Sequence, residues 1–383
     1  MIRAAIEQLP ASLIREVANA GLGRTDVLPF WFGESDEVTP EPIRAAAAES
    51  LARGETFYSH NLGLPELREA IAAYATALHR PVAASRIAVT SAGVNALMLA
   101  MQMLLGAGDE VVAVVPVWPN LTAQPAILGA RVTRVALAPD DQGAWRLDLP
   151  ALLARVTPAT RVLLVNAPNN PTGWTLGAAE QQAMIEHCRR TGTWIVADEV
   201  YERLCYAGAT ATATGCAPSF LDVAAPDDRL IVAHSFSKSF LMTGWRLGWL
   251  VLPPAAMAGA GKLLEFNSSC APVFVQRGGQ AALAMADTLV PRVVAHLRAC
   301  RDRLLPGLQA LPGVTVAPRH PAACTPSSAS KGRTTLWRWP SAWWPSTASA
   351  WRPARPSAPK ARAGCAGASP RATWPASTRG WSG

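Results

Sequence analysis

RLIVAHSFSKSFLMTGWRLGW, residues 229–249, decides how this chain is read. It opens on an apolar run, RLIVAHSFS (229–237), without strict alternation of apolar and polar positions. Such a run suits a strand covered on both faces. Lys238, flanked by small hydroxyl residues, follows directly, and Arg246 stands eight positions later. A lone lysine is ordinarily a solvated surface charge. Just past a buried strand, an unpaired ammonium would be costly. An amine held there can instead form an imine with an aldehyde cofactor. Ser235, Ser237 and Arg246 are suited to a phosphate, the arginine through its planar fork. Taken alone, Arg246 reads equally well as half of a structural salt bridge.

Similar apolar runs recur at DEVVAVVPV (109–117), RVLLVNAP (161–168) and TWIVADEVY (193–201), with a shorter one at RIAVTS (86–91). Between them lie helical patterns. LPELREAIAAYATAL (64–78) puts Leu64, Leu67, Ile71 and Tyr74 on one face, and NALMLAMQMLL (95–105) reads as a buried helix. Strands separated by helices predict an α/β fold with a mostly parallel sheet covered on both sides. Sites in such sheets lie at the carboxyl ends of the strands, and the polar motifs fall there.

Each motif also has a plain reading. The acid of DEVYERL (198–204) could be a helix cap. Asn and Pro in NAPNNPTG (166–173) could form only a turn, although the full string is rarer than a turn. TSAGVNALML (90–99) feeds small residues into a helix N-terminus, which favours phosphate but is a weak signal alone. Trp118 of PVWPN (116–120) could be simple core.

Together, and in this order, the motifs resemble those of the class I/II aminotransferases, fold-type I enzymes dependent on pyridoxal phosphate. The resemblance covers about residues 26–318 and implies a three-layer α/β/α large domain plus a smaller α+β domain. It implies that Lys238 of S-x-S-K binds the cofactor and moves the substrate α-proton. Ser235, Ser237 and Arg246 would bind the phosphate, with Ala92, Gly93 and Val94 cradling it. Ala92 departs mildly from the family, which often has Gly or Ser there. Asp198 would face the pyridine nitrogen, Tyr201 and Asn170 the ring hydroxyl, and Trp118 would stack on the ring. A carboxylate beside that nitrogen favours its protonated form, the electron sink of the chemistry. YSHNLGLPELREAI (58–71) resembles a segment whose tyrosine, here Tyr58, reaches the phosphate of a neighbouring subunit, implying a homodimer. PFWFGESD (29–36) would place Gly33 near the substrate carboxylate. The implied activity exchanges an amino group between an amino acid and a 2-oxo acid. A β-lyase or an eliminating synthase on the same scaffold is the alternative, since fold does not settle reaction.

The formal net charge of +8 comes from one end of the chain. Residues 319–383 hold ten Lys/Arg and no Asp or Glu, which leaves 25 basic against 27 acidic side chains in residues 1–318. The body therefore gives no hint of a nucleic-acid or membrane partner. Seven cysteines without a C-x-x-C pair argue against a disulfide framework or a metal site and for a reducing cytoplasm. The N-terminus lacks the apolar core of a signal peptide. Expected boundaries are 1–34 for the N-terminal part of the small domain, 35–275 for the cofactor domain and 276–318 for the start of the C-terminal small domain.

Residues 319–383 lack Ile, Val, Met, Phe, Tyr, Asn and Gln but hold seven of the fourteen Trp. No period supports a strand or helix there. A disordered basic tail is one reading, but disordered segments are poor in aromatics. The other reading is a frame-shifted translation of a GC-rich gene, beginning near Pro318–Ala323. The alternative frame permits an amphipathic string ending in LRWCFA, where the family has the arginine that grips the substrate carboxylate. The chain as written lacks that clamp and is expected to be inactive or to fold poorly, a non-functional frame-shifted product being the limiting case.

Overall fold

The computed structural model describes residues 2–141, 143–206 and 211–312, and the backbone of the strands Val314–Val316 and Ser328–Ser330. Seven strands form one sheet: β1 (Ile87–Thr90), β2 (Glu110–Val115), β3 (Arg131–Ala136), β4 (Thr160–Asn166), β5 (Trp194–Asp198), β6 (Leu230–Ser235) and β7 (Gly248–Val251). Their order is β1-β7-β6-β5-β4-β2-β3. The run β6-β5-β4-β2-β3 is parallel, and β7 lies antiparallel between β1 and β6. The sequence reading found five of the seven strands. It passed over β7, a four-residue element that starts at the end of the lysine motif, and β3, an edge strand whose Arg131 and Arg134 are exposed. Charges on an edge discourage pairing with a second sheet.

Side chains alternate across a strand, so each strand feeds both layers of core. Val196 of β5 and Ile231 and Ala233 of β6 pack on one face with the helix Gly93–Leu104. Ile195, Ala197, Leu230 and Val232 pack on the other, with Leu67 and Ile71 of the helix Pro65–Leu78. That helix begins on Pro65, a residue suited to a first turn because it lacks an N–H there. The alternation carries on past the strand ends. Asn166, Asp198 and Ser235 share the register of the first face, whereas Glu199 and His234 share that of the second.

The boundary expected at 275 falls inside the helix Val273–Ala284, which packs on the helices Glu41–Ala52 and Pro65–Leu78. One element also stands where the sequence promised none: Ser328–Ser330 pairs antiparallel with Val314–Val316. Backbone pairing needs only free N–H and C=O groups, which Ser-Ala-Ser supplies without any apolar pattern. Otherwise the frame-shifted tail expected from the sequence, and with it the missing carboxylate clamp, lies outside the described residues. No helix among the described residues is long and apolar enough to cross a membrane.

Candidate active site

Three adjacent strands end on polar residues of one face. Asn166 pairs in register with Asp198, and Ser235 pairs with Gly248. Asn166 serves two neighbours: its amide donates to Asp198 O at 3.0 Å, and its Oδ1 accepts from Asn170 N at 2.7 Å. It thereby fixes the loop 166–173 against the end of β5. The sequence offered this residue as the first letter of N-x-P-x-N-P, with no role assigned.

The loop after β5 then brings Tyr201 to Asn170, whose amide nitrogen lies 3.4 Å from the phenol oxygen. Lys238 Nζ donates to Gly33 O at 2.5 Å and lies 5.7 Å from the centroid of the Tyr201 ring. A Cβ built on Gly33 would sit 3.9 Å from both Lys238 Nζ and the Tyr201 hydroxyl. Lys238, Tyr201, Asn170 and Gly33 thus face one small space. Asp198 is buried beside them, and its carboxylate accepts from Val200 N at 3.3 Å. Burial pushes its carboxyl up to about 7, against the opposing pull of that amide and of Lys238. A carboxyl so placed favours a cationic partner.

A second group lies at the start of the helix Gly93–Leu104. Gly93 approaches Ser235 so closely that a Cβ there would meet Ser235 Cβ at 2.9 Å. A Cβ on Gly248 would meet Gly93 N at 2.6 Å. These two glycines let the helix N-terminus rest directly on β6 and β7, where its free N–H groups favour an anion. Ser237 N donates to Ser235 Oγ at 3.1 Å, and Arg246 Nη1 reaches Ser237 Oγ at 3.5 Å and Thr243 O at 2.5 Å. Val94 O accepts from Gln124 at 3.0 Å.

Ala92, the N-cap of that helix, has φ 104° and ψ 158°. A non-glycine residue held there costs about 1–3 kcal/mol. Ala92→Gly is therefore expected to leave stability unchanged or raise it by up to ~1 kcal/mol, after the entropy that glycine loses on folding. Ala100→Gly, in the same helix at an equally buried site, should cost about 1–2 kcal/mol. Urea denaturation of the two variants reads the contrast; equal losses would mean that Ala92 is unstrained.

Trp118 packs, half-buried, against the core cluster of the first face. Tyr58 is 88% exposed. The sequence also passed over an anchor for the lysine loop: Thr39 donates to Leu241 O at 2.6 Å and accepts from Trp245 Nε1 at 3.0 Å, while Thr243 donates to Glu34 at 3.1 Å. Single hydroxyls some 200 positions from their partners carry no sequence signal.

Residues 26–328 match the family model for aminotransferase class I and II. The aspartate aminotransferase of Musicola paradisiaca is 32% identical over 284 residues, 74% of this chain and 69% of that protein. The arginine–pyruvate transaminase of Pseudomonas aeruginosa is 33% identical over 279 residues, 73% of this chain and 68% of that protein. Among solved structures, the aspartate aminotransferase from Thermus thermophilus with maleate aligns with a TM-score of 0.77 at 29% identity, covering 84% of this chain and 83% of that one. Fold, site geometry and these likenesses agree: the chain belongs to the class I and II aminotransferases, enzymes that move an amino group between an amino acid and a 2-oxo acid.

Proposed function

We propose that Lys238 carries pyridoxal phosphate and is both its covalent anchor and the base that moves the substrate α-proton. The observation that carries this is the convergence of Lys238 Nζ, the Tyr201 hydroxyl and Gly33 on one space beside buried Asp198. When bound, the cofactor supplies an electron-poor ring conjugated to the substrate Cα. Asp198 holds a proton on the ring nitrogen. The Asn170 amide and the Tyr201 phenol hold the ring hydroxyl. Ser235, Ser237, Arg246 and the backbone of Ala92, Gly93 and Val94 bind the phosphate, and Trp118 stacks on the ring. Gly33 would lie near the substrate carboxylate, and Lys238 Nζ would move the proton at the substrate Cα. Borohydride treatment of protein loaded with pyridoxal phosphate, followed by peptide mass analysis, is expected to mark Lys238 alone. A label elsewhere, or none, would remove the assignment.

The same reading makes the protein a cytoplasmic homodimer. Phe57, Tyr58 and Phe266 are 83%, 88% and 87% exposed. Asn61, whose amide bonds Gly261 O at 2.8 Å, ties the segment bearing Phe57 and Tyr58 to the helix Met257–Asn267, which bears Phe266. Apolar side chains so gathered suit burial against a second copy, with Tyr58 reaching the neighbouring subunit's phosphate. Sedimentation velocity should show a dimer.

The tail belongs to this proposal too. We read residues from about 319 onward as translated out of frame, because ten cations without one acid follow a body of balanced charge. The nucleotide sequence across the codons for Pro318 to Cys324 tests this directly. Restoring the frame, and with it the arginine clamp, is expected to raise transaminase turnover by ~10²-fold or more, as orientation effects of this kind do. Equal turnover by both chains would refute it.

A further inference from the structure

Behind the candidate site, on the opposite face of the sheet, lies a buried cluster of ionisable groups that takes no part in the chemistry above. Three of its members directly neighbour site residues in the chain. Glu199 follows Asp198, Glu202 follows Tyr201, and His234 precedes Ser235. Strand alternation explains the split at Asp198/Glu199 and at His234/Ser235, where one residue faces the site and the next faces away, and Tyr201 and Glu202 diverge within the turn that follows β5. Glu199 accepts from Ser219 Oγ at 2.5 Å and from Phe220 N at 2.9 Å. Glu202 lies 3.1 Å from His79 Nε2, 3.5 Å from the Tyr74 hydroxyl and 3.7 Å from His234 Nδ1. The other nitrogen of His79 lies 3.1 Å from Asp222. Arg203 stacks over the Tyr74 ring at 5.7 Å, and His234 stacks on Trp249 at 4.9 Å.

Glu199, Glu202 and His234 could by spacing alone hold a metal ion. The protein already supplies the cation. Burial opposes the charge on His79, but Asp222 and Glu202 outweigh it and raise the imidazole to about 11. His79 caps the helix Pro65–Leu78 at its C-terminus, where the dipole also favours positive charge. Burial likewise opposes the charge on Glu202, and His234, His79 and Arg203 together bring its carboxyl below the ordinary value. His234 is lowered, first by burial and also by the nearby His79, against the pull of Glu202. The turn 198–202 is therefore stapled from behind at two points, Glu199 to the segment 219–220 and Glu202 to His79.

We propose that the buried His79–Glu202 ion pair is a positioning pair: it holds the turn 198–202 so that Asp198 and Tyr201 face the site. Neither residue touches the reacting atoms. The proposal rests on the cofactor reading above for its consequence, though not for its geometry. Removing His79 leaves Glu202 buried and uncompensated, which is costly, whereas removing both partners is close to neutral. The two changes should thus be strongly non-additive.

The test uses the full-length chain and the variants His79→Gln, Glu202→Gln and the pair combined. Without cofactor, His79→Gln should speed amide exchange over residues 198–204 by ~10-fold or more, the size set by a lost hydrogen bond to a buried charge. Exchange over β4 should not change. With pyridoxal phosphate, the affinity of His79→Gln at pH 8 should fall by ~10-fold. It should recover as the pH is lowered and Glu202 takes up a proton, and also when Glu202→Gln is added. Unchanged exchange at 198–204, a rise spread evenly over the sheet, or a double variant no better than His79→Gln would each overturn the proposal. If neither the unaltered chain nor its frame-restored form takes up pyridoxal phosphate, the cofactor reading fails, and the exchange arm alone decides the positioning pair.

Discussion

Replacing Lys238 by alanine should lower transaminase turnover of the frame-restored chain by at least ~10⁴-fold, at the upper end of what a single general base contributes. Two functions leave together, the covalent anchor and the amine that carries the proton. The fold should survive. Lys238 Nζ donates to Gly33 O, and loss of that bond costs about 1 kcal/mol. The segment around Gly33 stays docked through Thr39 to Leu241 O, Trp245 to Thr39, and Thr243 to Glu34. A thermal melt within a few degrees of the parent, with the cofactor absorbance lost after gel filtration, separates a chemical defect from an unfolded one. A small primary amine added to the variant should restore part of the turnover. Turnover within tenfold of the parent, without added amine, would mean that another group does the work.

Five of the seven strands and the helices Pro65–Leu78 and Gly93–Leu104 were legible because each is an apolar run or a clear helical period. The core positions Leu67 and Ile71 follow from that period alone. The lysine, its serines, Asp198, Tyr201 and Asn170 were legible because each stands in a short motif of fixed spacing at a strand end. What stayed hidden is what depends on the third dimension. His79 and His234 are lone histidines 155 positions apart, and only the pairing of β5 with β6 and the packing of the helix Pro65–Leu78 bring both to Glu202. Glu199 and Glu202 read in DEVYERL as ordinary acids near a turn, yet both are buried. The antiparallel placement of β7 was equally invisible. GWLV has no feature to distinguish it from a parallel strand, and its direction is set by the short return through residues 236–247. Tyr58 differs from these: the motif alone suggests that it reaches a neighbouring subunit, while within one chain it is simply an exposed aromatic.

Asp198→Asn should produce two effects of opposite sign. Turnover should fall by ~10²–10³-fold, because a neutral amide cannot hold the ring nitrogen protonated through a full charge, and a preorganised charge at a reacting centre is worth about that much. The cofactor-free protein should nevertheless become more stable. Burial raises the Asp198 carboxyl from 3.8 to about 7 in the folded chain. The native state therefore favours the neutral acid and holds more protons than the unfolded state between these values. Stability contributed by the neutral acid is present in full below about pH 4 and is lost as the pH rises to about 7, beyond which the penalty is constant. With about three pK units at 1.36 kcal/mol each, and allowing for water entering the site, the cost of the buried carboxylate is roughly 2–4 kcal/mol above pH 7. Asparagine carries no such cost and can still accept from Val200 N. The gain from Asp198→Asn should thus be near zero at pH 4, grow through pH 5 and 6, and level off above 7. Urea denaturation at each pH reads it. Addition of pyridoxal phosphate should then reverse the order, since the cation of the ring offsets the charge of the parent and finds no counter-charge in the variant. A variant no more stable than the parent at pH 8 would show that Asp198 is already paired in the empty site. The energetic ground for assigning it to the ring nitrogen would then be gone.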